Sequence, residues 1–289
     1  MKQRPTIIVS GKNGQVGSEL ILLHASYSQF QWIFLDREAL DLSSESSISG
    51  AFEKYQPAYF VNCAAYTAVD KAEEERGIAE KINAQAVAVI AEKCKVFGTT
   101  LIHLSTDYVF DGNGTSPYKT DEPTNPVNFY GATKRAGELC ALQNNPKTVI
   151  IRTAWVYSTF GKNFVKTMLR LMSERNEISV VKDQVGSPTY ARDLAFALAE
   201  IVSSEKKHFG IYHFTNEGVI SWYDFAIAIK EISGSGCKVN AISTSAFPTP
   251  AKRPQYSVLD NTNLQKDYHI QPRNWKESLQ ECMSYLQRL

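Results

Sequence analysis

Short apolar runs and helical patterns alternate along the first half of the chain. Thr6-Ile7-Ile8-Val9-Ser10 has the continuous apolar character of a strand buried on both faces, and Val16, Leu20 and Leu23 follow it at helical spacing. Trp32 to Leu35, Tyr59 to Asn62, Leu101 to Leu104 and Val149 to Ile151 repeat the strand signal. Between them Ile48, Phe52 and Tyr55, then Ile78, Ile82, Val89 and Ile90, then a segment from Tyr130 to Leu142, read as helices. Continuous apolar strands separated by helices predict parallel pairing with both faces covered. The expected fold is α/β, a doubly wound parallel sheet of Rossmann type whose ligands sit beyond the carboxyl ends of the strands.

The second half is less regular. Phe164, Met168 and Leu171 predict one helix, and Leu194, Leu198 and Ile201 another. Ser221 with Asp224 three residues on reads as an N-cap ahead of Phe225, Ile229 and Ile232, and Leu279, Met283 and Leu286 close the chain as an amphipathic helix. Phe247-Pro248-Thr249-Pro250 and Pro254 predict an irregular loop. A boundary is expected near residue 155, with the part over 156–289 smaller than the first and some of its segments returning to pack on it.

Composition narrows the function classes. In 289 residues, 43% hydrophobic and 21% charged, 31 Lys and Arg face 30 Asp and Glu. That balance removes the electrostatic case for nucleic acid or an acidic membrane surface as a partner. Cys63, Cys94, Cys140, Cys237 and Cys282 lie far apart without metal-ligand spacing, as reduced thiols of a cytosolic protein do. No secretory leader and no run of about 20 apolar residues is present, so the cytoplasm is the expected location. His24, His103, His208, His213 and His269 show no ligand spacing and are read as packing or surface residues.

The candidate chemistry begins at Gly11-Lys12-Asn13-Gly14-Gln15-Val16-Gly17, between the first strand and the first helix. Glycines there turn the chain tightly and admit a pyrophosphate to the helix N-terminus. Asp36 ends the second strand 19 positions after Gly17, where a carboxylate accepts hydrogen bonds from an adenosine ribose, while the adjacent Arg37 suits a 2′-phosphate. The residues therefore point to a nicotinamide cofactor without deciding between its two forms. Tyr130 and Lys134 stand four residues apart on one helical face, and Ser105-Thr106-Asp107 places hydroxyls at a strand end before them. A cation near a phenol lowers its pKa and equips it for acid–base work.

The glycine motif, Thr106, and Tyr130 with Lys134 resemble the extended short-chain dehydrogenase/reductase superfamily. Longer strings are similar to the dTDP-4-dehydrorhamnose reductase family: Thr67-Ala68-Val69-Asp70-Lys71-Ala72-Glu73, Ser105 through Gly112, Arg152 through Tyr157, and Pro248 through Pro254. The resemblance covers nearly the whole chain. It implies an NAD(P)-binding Rossmann domain over 1–155 and a mainly substrate-binding part over 156–289. It also implies reduction of a dTDP-sugar ketone by NADPH, with NADH as an alternative, for cell-surface polysaccharide synthesis.

By the same resemblance, Gly14, Gln15 and Val16 hold the cofactor pyrophosphate between the motif glycines Gly11 and Gly17, with Asp36 at the ribose and Asp41 and Leu42 beside the adenine. Ala65, Tyr66 and Thr67 line the cofactor. Tyr130 donates the proton, Lys134 binds the nicotinamide ribose and tunes Tyr130, and Thr106 adjusts the environment of Tyr130. Thr106, Asp107 and Trp155 meet the sugar, with Asn163, Gln184 and Arg253 toward the nucleotide end. Some relatives carry magnesium between subunits. Glu19 keeps one carboxylate position, but Arg192 stands where another is expected, so no required metal is predicted. A homodimer is compatible with the resemblance. A non-catalytic binding protein of the same fold would not need the Tyr130, Lys134 and Thr106 set, whereas a sugar-nucleotide epimerase would share it.

Overall fold

The computed structural model of the protein describes residues 4–288. Six strands form one parallel sheet: β1 (Thr6–Ser10), β2 (Gln31–Leu35), β3 (Tyr59–Asn62), β4 (Thr100–Thr106), β5 (Thr148–Thr153) and β6 (Gly210–His213). Their spatial order is β2-β1-β3-β4-β5-β6, and every pairing is parallel. The order reverses between β1 and β3, which creates the crevice where ligands of such sheets bind.

Side-chain alternation along β1 shows why its pattern is continuous rather than amphipathic. Ile7 and Val9 pack into one core with Val16 and Leu20 of the Gln15–Leu23 helix and Leu194, Leu198 and Ile201 of the Ala191–Ser203 helix. Ile8 packs into the other with Ile48, Phe52, Phe60 and Ile90. Both faces are therefore dry, as an all-parallel sheet requires. A third core, around Tyr157, Met168, Ile178, Phe225, Trp275 and Leu279, belongs to the C-terminal part.

Two features were not legible in the pattern. β6 is four residues long with only Ile211 and Tyr212 as its apolar centre, too short to stand out, yet it pairs with β5 and extends the sheet. Together with the Ala191–Ser203 helix it brings residues from beyond 155 back onto the first layer. The helix signal from Ile78 to Ile90 resolves into Arg76–Glu80, a π-helical turn at Lys81–Gln85, and Ala86–Phe97. The expected N-cap at Ser221 is a full capping box with Asp224. Among the cysteines, Cys63 and Cys140 are only partly buried, while Cys94, Cys237 and Cys282 are core residues.

Candidate active site

The three glycines after β1 have three separate reasons to be there. Gly11 has φ +74°, and a Cβ on it would lie 2.9 Å from the Ala64 amide nitrogen. Gly17 would place a Cβ 2.3 Å from the Gly11 carbonyl, so its absence of a side chain lets the helix close on the turn. Gly14 is exposed and only its own loop lies near, at 3.2 Å from the Gly11 carbonyl. Gly14 is also the N-cap of the Gln15–Leu23 helix, without a side-chain cap and with no acid in the first turn. The helices that begin after Ser44, Asn128, Asn163, Ser221 and Asn274 are all capped by a side chain. The open helix end therefore presents free N–H groups and a positive dipole to whatever lies in front of it.

What lies in front is a cavity of about 770 Å³. Gly11, Gly14, Gln15 and Val16 line it at the helix end, and Asp36, Arg37, Asp41 and Leu42 beyond β2. Ala65, Tyr66 and Thr67 follow from the β3 loop, then Tyr130 and Lys134. Gly17 does not line it, and its missing side chain serves the packing of the helix on the turn. The size falls in the range of small-molecule and cofactor sites. Ser105 also lines the cavity, and its buried hydroxyl has no partner in the protein. An open helix N-terminus, a cradle without side chains and an orphaned hydroxyl fit a phosphorylated dinucleotide.

Beside Asp36 the sequence reading missed Lys12. Its ammonium lies 2.8 Å from Asp36, whose other oxygen accepts from the Ala39 amide. The Lys12 hydrogen bond holds the Asp36 carboxyl below its ordinary range. Asp41 accepts from the Ser43 amide and hydroxyl, both at 2.8 Å, and so shapes the adjoining turn. Asn83 was also missed. It sits in the π-helical turn, accepts from the Tyr66 amide at 2.9 Å and donates to the Tyr66 carbonyl and the Thr133 hydroxyl. A π turn in an otherwise regular apolar pattern is a functional signal that only the structure displays.

Tyr130 and Lys134 lie in the Phe129–Asn144 helix, which Asn128 caps by accepting from the Gly131 amide. Gly131 and Gly137 let that helix seat deeply, since added Cβ atoms would meet the Tyr108 and Asn83 carbonyls at 2.2 and 2.1 Å. Burial, and then the Asp107 charge, push the Tyr130 phenol up, and the Thr106 hydroxyl opposes them. Lys134 does not reach toward that phenol as its spacing suggested. Its ammonium donates to the Leu104 carbonyl at 2.7 Å and lies 3.4 Å from His103 Nε2. Burial draws Lys134 down to about 8, with Glu138 pulling the other way.

Thr106 donates to Asp107 Oδ1 at 2.9 Å and accepts from the Tyr108 amide at 3.2 Å. Asp107 is buried, its Oδ2 is unpartnered, and burial lifts its carboxyl to about 6 against the Thr106 and Ser257 hydroxyls. Trp155 has φ +49° and stacks on Trp222 with ring centroids 3.6 Å apart. The outer candidates are engaged locally. Asn163 caps the Phe164–Glu174 helix and donates to Gln15 Oε1 at 3.0 Å. Gln184 donates to Thr244. Arg253 pairs with Asp70 at 2.8 Å, which ties two of the long sequence strings together. Glu19 accepts from Ser158 at 2.6 Å, and Arg192 faces Glu281 at 3.7 Å.

A switch-point crevice with an uncapped helix end and a buried Tyr–Lys helix defines a dinucleotide-binding α/β protein of Rossmann type. The family model described as the RmlD substrate binding domain matches residues 5–288. The chain belongs to the dTDP-4-dehydrorhamnose reductase family. It is 39% identical to the dTDP-4-dehydrorhamnose reductase of Aggregatibacter actinomycetemcomitans, over 96% of this chain and 98% of the relative. The crystal structure of a dTDP-4-dehydrorhamnose reductase from Clostridium acetobutylicum superposes with a TM-score of 0.94 at 41% identity, over 98% of this chain and 99% of that one. The Bacillus anthracis enzyme in complex with NADP gives 0.94 at 36%, over 98% and 100%. No helix among the described residues is long and apolar enough to cross a membrane.

Proposed function

We propose that the protein reduces the 4-keto group of dTDP-6-deoxy-L-lyxo-4-hexulose to give dTDP-L-rhamnose for cell-surface polysaccharide, using NADPH. The observation that carries this reading is the convergence of the open helix end, Tyr130 and Lys134 on one cavity, in a chain of this family. NADPH, when bound, supplies the hydride. The chain's own residues supply position and a proton. The uncapped helix end and Gly14 take the pyrophosphate, and Lys134 the nicotinamide ribose. Asp36 is already neutralised by Lys12, so with Arg37 beside it the pocket mouth is suited to a 2′-phosphate.

Tyr130 is the proton donor. In the free site its phenol is held protonated by burial and by Asp107, so the form that can donate is the form present at neutral pH. The alkoxide developing at C4 takes that proton, and the phenolate left behind is eased by the Thr106 hydroxyl. Thr106, Asp107 and Trp155 are assigned to the sugar. Arg253 is assigned to the substrate pyrophosphate, which would have to compete with Asp70 for it. Asn163 acts through Gln15, and Gln184 through its loop. Purified protein should oxidise NADPH only in the presence of the dTDP-4-keto sugar and release dTDP-L-rhamnose. Oxidation independent of that sugar, or none at all, would defeat the assignment.

A further inference from the structure

A line of polar side chains crosses the parallel sheet behind Lys134. Ser10 ends β1, Asn62 ends β3 and His103 lies in β4, each at most 1% exposed. The register sets them side by side, Ser10 opposite Asn62 and Asn62 opposite His103. Ser10 Oγ lies 2.6 Å from Asn62 Oδ1, Asn62 Nδ2 lies 3.1 Å from His103 Nδ1, and His103 Nε2 lies 3.4 Å from Lys134 Nζ. Their neighbours along the same strands, Val9, Val61 and Ile102, are aliphatic core. Buried polar groups in such a setting persist only if their hydrogen bonds are complete.

Completeness fixes the direction of the line. An ammonium has three donors and no acceptor. If Lys134 is charged, Nε2 must accept from it, and Nδ1 carries the ring proton and donates to the Asn62 oxygen. The Asn62 amide group then donates to Ser10 Oγ. If Lys134 is neutral, its lone pair can accept from Nε2–H, and the line then runs the way the Asn62 amide is placed: Ser10 donates to Asn62, and Asn62 to Nδ1. The second direction pairs Ser10 Oγ–H, the Asn62 amide and both ring nitrogens, and passing to the first turns the Asn62 amide over. Leu104 takes one ammonium proton and His103 a second, which leaves the third for the cavity that Lys134 lines.

We infer that Ser10, Asn62 and His103 form a positioning array for Lys134, aiming its ammonium at the cavity and coupling its protonation to the tautomer of the His103 ring. Burial and the Lys134 charge keep that ring itself neutral. The other ionisable group acting on Lys134 is Glu138 on its own helix, while Asp107, from the turn after β4, acts on Tyr130. Glu138 is committed to Arg152 of β5, 2.8 Å away.

The kinetic consequence rests on the proposed reductase reading, but the tautomer does not, and it is read on the protein alone. In ¹⁵N-histidine-labelled protein without ligand, the His103 ring should carry its proton on Nδ1 at pH 6. It should pass to the Nε2–H form as pH rises through the Lys134 titration, and Lys134→Met should abolish that change. A His103 ring that stays Nε2–H throughout, or that switches equally in Lys134→Met, overturns the inference whatever the protein catalyses. In turnover, His103→Phe removes an acceptor from the ammonium, so the alkaline limb of the pH profile should move about one unit toward acid. His103→Gln, which keeps an acceptor, should restore it. If His103→Phe does not fold, Asn62→Ala should shift the limb in the same direction. An unshifted limb in a folded variant contradicts the array, whereas a wild-type protein that ignores the keto sugar contradicts only the reductase reading.

Discussion

The cofactor end and the substrate end of the crevice are built differently. At the cofactor end, Gly11, Gly14, Gln15, Asp36, Tyr66, Tyr130 and Lys134 reach one cavity from the turns and helices that follow β1, β2, β3 and β4. At the proposed substrate end, Asn163, Gln184 and Arg253 come from a cap and loops and are already bonded to Gln15, Thr244 and Asp70. The first site is preorganised by the sheet. The second is assembled from parts that also hold the loops in place, so binding and local stability are entangled there.

The glycine turn should separate packing from binding most sharply. Gly17→Val drives a side chain into the Gly11 carbonyl and should destabilise the fold by about 3 kcal/mol or more, read as a large fall in melting temperature. Gly14→Val should cost the fold only about 1 kcal/mol yet abolish NADPH binding by titration, because its side chain enters the cavity mouth. Equal losses of stability in the two would erase the distinction.

Asp107 offers the opposite test, a residue assigned to the substrate whose burial weakens the fold. Its folded-state pKa, about 6, lies above the ordinary 3.8, so the native state binds the extra proton. Stability must then fall as pH rises between about 4 and 6, by up to about 3 kcal/mol. Asp107→Asn should therefore raise the melting temperature at pH 8 and leave it nearly unchanged at pH 4, while impairing turnover. A variant less stable than wild type at pH 8 would show that the carboxylate is well compensated.

These contrasts also explain what could be read from the chain. Strands such as Thr6–Ser10 and Tyr59–Asn62 were legible because burial on both faces leaves an uninterrupted apolar run, and the glycine turn because its spacing is local. Lys12 was not, because its meaning depends on Asp36 across the β1–β2 register. Asn83 and His103 were hidden for a related reason. A single polar residue inside an apolar pattern acquires its role only when the sheet or a π turn brings a partner from far along the chain. Tyr130 and Lys134 were found by helical spacing, but spacing did not foretell that Lys134 turns to Leu104 and His103.

The smallest expected effect concerns Arg253. Its pair with Asp70 is partly exposed, so a double-mutant cycle with Arg253→Ala and Asp70→Ala should give a coupling of only about 0.5–1 kcal/mol in stability. If Arg253 leaves Asp70 for the substrate, Arg253→Ala should raise KM for the dTDP-sugar more than it lowers kcat. A change confined to stability would make it a loop anchor.

The central claim is that Tyr130 delivers the proton from a site already shaped for the cofactor. Tyr130→Phe keeps the ring and its edge contact with Tyr108, at 5.8 Å between centroids, and removes only the hydroxyl. The decisive measurement is turnover of the dTDP-4-keto sugar by this variant beside its NADPH affinity. Turnover should fall by about 10²–10⁴-fold with affinity for NADPH close to wild type. Near-normal reduction of the keto sugar by folded Tyr130→Phe would contradict the account.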